Sequence, residues 1–158
     1  MTDGQTGADA QAWADSLERR IEELGDLLAR LDELGDSQGE LIADERTDEL
    51  LALLAKREAV VEQVVAASER VDALRRRWDE MSGSIDHGRL ATLREGLDGL
   101  TAAAGRITAR DDRDRTILEV KRDDMARRLA GVGVGQRAMN AYASSPSGPS
   151  PKFQDRKA

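Results

Sequence analysis

The 158-residue chain contains no cysteine. Disulfides, thiolate chemistry and cysteine-ligated zinc are therefore excluded, and the composition fits a reducing compartment. Histidine occurs once, at His87 beside Gly88. A lone imidazole without cysteine makes no transition-metal site, so it reads as a solvated surface side chain. Aromatic residues are scarce, one Phe, one Tyr and two Trp, while hydrophobic residues make up 39% and charged residues 35%. That is thin for a globular core and suits extended helices that bury narrow seams of Leu, Val and Ala. No apolar run approaches membrane-spanning length, and Met1-Thr2-Asp3-Gly4 is acidic and polar, unlike a secretory signal. A soluble, cytoplasmic protein that is not membrane-embedded is expected.

The net charge of -7 is unevenly spread. Residues 1–50 hold fifteen Asp and Glu against four Arg, a net of -11, which leaves +4 on residues 51–158. An acidic front keeps an apolar-striped protein in solution and repels nucleic acid, so no nucleic-acid partner is expected. Arg75-Arg76-Arg77 stands among Glu69, Asp72, Asp79 and Glu80 and reads as a solvated helical face with intrahelical pairs.

What the chain does have is helical periodicity. Leu41 to Met81 holds no Pro and no Gly and reads as one helix, with Asp44 and Thr47 as alternative starts. Its apolar residues, among them Leu50, Leu54, Val60, Val61, Val64, Val71, Leu74, Trp78 and Met81, return every three or four positions, as on one face of a helix. At about 1.5 Å per residue such a helix is roughly 60 Å long, and it needs partner helices to cover its stripe. A first helix is expected from about Ala10 to Leu34, on Trp13, Leu17, Ile21, Leu24, Leu28 and Leu31, ended by Gly35-Asp36-Ser37-Gln38-Gly39. So short a connection makes the next helix antiparallel. Ser82-Gly83-Ser84 is the second break. A third helix then restarts near Ile85 and Asp86 and continues a heptad-like seam through Leu90, Leu93, Leu97, Leu100, Ala104, Ile107, Leu118, Met125 and Leu129. Asp111 and Asp114 interrupt that seam where apolar residues are due, and Gly96, Gly99 and Gly105 soften it. The expected fold is all-α, an elongated antiparallel helical bundle or coiled coil of about three helices over residues 10–142. Residues 1–9 and 143–158 are expected to be disordered, the latter being rich in Ser, Pro and Gly.

Several segments imitate sites. Asp112, Asp114 and Thr116 alternate as in a calcium loop, but Ile117 stands where the turn needs Gly, and Arg113 and Arg115 repel the ion. Gly131-Val132-Gly133-Val134-Gly135 resembles a phosphate loop, yet it follows a helix rather than a strand and reads as a hinge. No acid pair or nucleophile can be singled out, so neither an enzyme nor a cofactor is expected. The apolar positions Leu118, Met125 and Leu129 have two readings of equal standing: intramolecular core, or a helix face offered to another chain, for which Met is well suited. Tyr142 and Phe153 sit in or beside a segment with no core, as partner anchors do.

The order of the parts, the Leu51-Ala52-Leu53-Leu54-Ala55-Lys56-Arg57-Glu58 stretch and the ending Ala141-Tyr142, a Gly/Ser/Pro-rich tail, then Asp155-Arg156-Lys157-Ala158 carry a resemblance. Over most of residues 10–158 the chain resembles the flagellar export chaperones of the FlgN type, with the FliT chaperones a step further off. The chain differs in having Asp111 and Asp114, rather than paired Asn, ahead of Ile117-Leu118. The resemblance implies a cytoplasmic chaperone that binds the helical C-terminal segments of the hook–filament junction proteins, of FlgK and FlgL type. It would then deliver them to the flagellar type III export gate. It implies substrate-protein contact at Ile117, Leu118, Met125 and Leu129, docking on the export gate through Tyr142, and no cofactor. The alternative is a self-associating structural coiled coil, such as a homodimer, or a helical adaptor of another system.

Overall fold

The computed structural model describes residues 3–143, with side chains given throughout except at residues 3, 132–136, 138, 142 and 143. The described chain is all-α and has no strand: α1 (Asp3–Ala43), α2 (Thr47–Arg75), the short α3 (Trp78–Met81), a 3-10 turn at Ser82–Ser84, and α4 (His87–Ala143). The described residues divide into two compact units, one up to Asp114 and one from Arg115 onward. No helix among the described residues is long and apolar enough to cross a membrane.

The core of the first unit is one cluster along α1. Trp13, Ala14, Leu17, Leu24, Leu28 and Leu31 are buried against Val60, Ala67 and Val71 of α2 and Leu90, Leu93 and Ile107 of α4. The three- and four-residue spacing places the α1 residues on one side of the helix. Contacts between α1 and α2 pair Trp13 with Leu74 and Glu23 with Arg70. Contacts between α1 and α4 pair Asp15 with Arg89, Asp32 with Arg110 and Gln38 with Asp114. At Gly96 α4 comes close to α1: a Cβ there would lie 3.0 Å from Ile21 Cγ2.

Several helix ends differ from the sequence expectation, and tertiary contacts account for those at Gly35 and Arg75. The expected break at Gly35–Gly39 is absent, and α1 runs on to Ala43. Arg110 lies across the buried Gly35, donating to the Asp32 carbonyl at 2.7 Å and pairing with Asp32 Oδ1 at 2.9 Å and Asp36 Oδ1 at 3.0 Å. Gln38 and Ile42 are buried beyond it. These contacts override the local Gly and Ser signals. The turn comes instead at Asp44–Arg46, where Glu45 takes φ 58°. Glu45 N–H donates to Ile42 O and Arg46 N–H to Leu41 O, the paired bonds of a left-handed helix terminus usually made with Gly.

The single helix expected over Leu41–Met81 is likewise divided. It stops at Arg75, turns through Arg76 and Arg77, and resumes for one turn at Trp78. At this corner the Trp13 indole N–H donates to the Leu74 carbonyl at 2.9 Å, and Trp13 and Trp78 meet edge to face, centroids 5.4 Å apart. The Arg94 guanidinium covers the Trp78 ring at 5.2 Å. The bend seats Met81 and Ile85 in the core. Asp86 Oδ2 then accepts from Arg89 N–H at 3.1 Å and caps α4. The break expected at Gly131–Gly135 does not occur, since α4 continues to Ala143. No described Gly has positive φ, so none is required by a turn.

Asp111 and Asp114, the misfits of the seam, are placed where polar partners meet them. Gln38 Nε2 donates to Asp114 Oδ2 at 2.9 Å, both residues being buried, while Arg57 pairs with Asp111 at 2.5 Å. Gln38→Leu is expected to cost about 1–3 kcal/mol, because it leaves a buried carboxyl without its donor. The double replacement Gln38→Leu with Asp114→Leu should recover most of that loss. A urea-unfolding double-mutant cycle checks both expectations.

Two further expectations arise from the helices themselves. Gly99 and Gly105 are helical, and nothing lies within 4 Å of a Cβ added to either. Gly99→Ala and Gly105→Ala should each stabilise by about 0.5–1 kcal/mol, read as a higher urea midpoint, whereas the Ile21 contact should cancel the gain at Gly96→Ala. Hydrogen bonds from Arg20 and Arg70 hold the Glu23 carboxyl below its ordinary range. A carboxyl lowered on folding contributes stability above its unfolded pKa and loses it as pH falls through the folded value. Glu23→Gln should therefore flatten the acid limb of the stability profile and leave its alkaline limb unchanged.

Candidate partner-binding face on the last helix

The second unit begins at Arg115. From Arg115 onward α4 carries Ile117, Leu118, Met125 and Leu129, which are 45%, 37%, 63% and 66% exposed. Within the chain none of the four is a core residue. At about 100° per helical residue, Leu118, Met125 and Leu129 fall within about 40° of one another and form one apolar line. Ile117 lies about 100° to one side of Leu118, so the arrangement groups three of the four expected contact residues and leaves the fourth on a flank.

Two exposed apolar residues of this helix were not singled out from the sequence. Met139 stands two seven-residue steps beyond Met125 and is exposed; extending that step along the chain would have found it. Val120 is also exposed but faces almost opposite Leu118, and no periodic signal marks it. Tyr142 lies within α4, but its side chain is outside the described residues, and Phe153 lies beyond them altogether.

The charges around the line are ordered. Arg115 and Arg122 lie on one side and Lys121 and Arg128 on the other, all within about 80° of Leu118. Glu119, Asp123 and Asp124 lie further round, at about 100–140°. Arg128 reaches back to Asp124 at 2.8 Å, and Arg122 approaches Asp123 at 3.5 Å. These exposed pairs hold the basic heads loosely, since such contacts contribute well under 1 kcal/mol.

The apolar line is of the kind that a second helix can cover. Among the described residues no group of three His, Asp or Glu is placed to hold a metal ion. In the first unit a cleft of about 350 Å³ between α1 and α4 is lined by Ile21, Gly25, Leu28, Gly96, Gly99 and Leu100, among others. An exposed apolar line on a charged helix instead matches what a second amphipathic helix covers, with anchors at three- and four-residue spacing. Comparison with known protein families, curated proteins and solved structures finds no match.

Proposed function

We propose that this chain is a cytoplasmic export chaperone of the FlgN type, which holds the helical C-terminal segments of hook–filament junction proteins on residues 115–130 and delivers them to the flagellar export gate. The observation that carries the reading is the exposed line of Leu118, Met125 and Leu129 on an otherwise charged helix. A junction-protein segment that is helical in its assembly presents a complementary stripe when alone, and covering it prevents premature association. In this reading α1, α2 and α4 are the long members of an elongated antiparallel bundle that anchors the binding helix. Ile117 contributes from the flank, and Tyr142 near the end of α4 serves docking on the gate.

Calorimetric titration of the full chain with the C-terminal segments of the two junction proteins from the same organism tests it. A Kd below about 1 µM for one or both segments is expected, equivalent to roughly 8 kcal/mol. No heat with either segment, together with a tight homodimer in sedimentation, would leave a self-associating coiled coil in its place.

A further inference from the structure

The basic residues on both flanks of the apolar line say more about its occupant. We propose that the line Leu118–Met125–Leu129 selects an acidic amphipathic helix, with Asp or Glu bordering its apolar stripe on both sides. The inference rests on the reading of this line as a docking face for a partner helix and adds the partner's charge to it.

Arg115 and Arg122 on one side, and Lys121 and Arg128 on the other, occupy positions that border the contact when two helices pair along such a stripe. Pairing two stripes brings the flanks of one helix against the flanks of the other, and opposite charges there set partner choice. A second copy of this segment is disfavoured, because in either orientation it would bring basic flanks against basic flanks. An anionic lipid surface also attracts basic residues, but a helix that lies in a membrane interface buries a broad apolar face, usually with Trp or Phe. Here the line spans about 40°, residues 115–131 contain no aromatic, and Asp123 and Asp124 stand on the same helix. A helix-sized, acidic-edged partner fits the narrow line better. The ion pairs of Arg128 with Asp124 and Arg122 with Asp123 are exposed, so the heads can exchange these carboxylates for those of a partner.

The test uses the full chain and two synthetic helical peptides with the same Leu stripe, one bordered by Glu and the other by Lys. Binding is read by fluorescence anisotropy at low and physiological salt. The Glu-bordered peptide is expected to bind about tenfold tighter or more, with a gap that narrows as salt rises. The triple variant Lys121→Glu, Arg122→Glu and Arg128→Glu, shown to be folded by circular dichroism, is expected to reverse the preference. Equal binding of both peptides, unaffected by the triple variant, would overturn the charge selection and leave the docking face standing. Binding of neither peptide would overturn both. Tight binding to vesicles of anionic phospholipid, with no discrimination between the peptides, would assign the basic flanks to a membrane surface and overturn the proposal.

Discussion

Trp13→Ala is expected to destabilise the first unit by about 3–5 kcal/mol. Trp13 is buried, its ring meets Trp78 edge to face, and its indole N–H satisfies the Leu74 carbonyl at the end of α2. Truncation removes the ring volume, the aromatic contact and a long-range hydrogen bond at once. It also strips the corner at Arg76 and Arg77 of the side chain against which Trp78 packs. Domains of this size are stable by about 5–15 kcal/mol, so the variant should unfold at a much lower urea concentration. Trp13→Phe keeps a ring and loses the donor, and it should fall between the two. A loss below about 1 kcal/mol for the alanine variant would mean that the corner is not held by Trp13, because truncating a buried aromatic otherwise costs several times more.

Met125→Asp should abolish partner binding while leaving the unfolding midpoint almost unchanged. The side chain is 63% exposed, and substitutions at such positions usually fall within about 0.5 kcal/mol of the parent. In a complex the same side chain would be covered. Losing it forfeits about 1.5–3 kcal/mol of apolar burial and adds the penalty of a carboxylate brought into an apolar contact. The combined effect corresponds to at least about a hundredfold in Kd. Stability and affinity are thus expected to separate at Met125 and to fall together at Trp13. Measuring both quantities on both variants checks this. Strong destabilisation by Met125→Asp would place the residue in an internal core instead.

The helices were legible in the sequence wherever their ends did not matter. Leu17, Leu24, Leu28 and Leu31 recur at the spacing of a buried face, and all four are buried. The break at Ser82-Gly83-Ser84 and the restart at Asp86 were legible, because Ser, Gly and Asp mark them locally. The stops at Ala43 and Arg75 were not, because the deciding contacts are remote. Gly35 has the local character of a helix end, yet Arg110 crosses it and bonds to a carbonyl 78 residues away in sequence. The real turn at Glu45 has no Gly to announce it, and its positive φ is visible only in the backbone. Asp114 looked like a fault in the apolar seam; it is the partner of Gln38, 76 residues distant. For the candidate site, spacing identified Leu118, Met125 and Leu129, but a covered stripe and a bare one have the same periodicity. Only the exposure of the side chains separates them within the chain. The basic borders of the stripe were present in the sequence as individual residues, and they become a pattern only when projected around the helix.

Hydrogen–deuterium exchange of the full chain, with and without a junction-protein C-terminal segment, tests the binding face most directly. Amides of residues 115–131 should exchange more slowly when the segment is bound, while the core amides of α1 and α2 keep their rates. Slowing confined to the first unit, or unchanged rates throughout at saturating segment, would contradict a partner-binding face on the last helix.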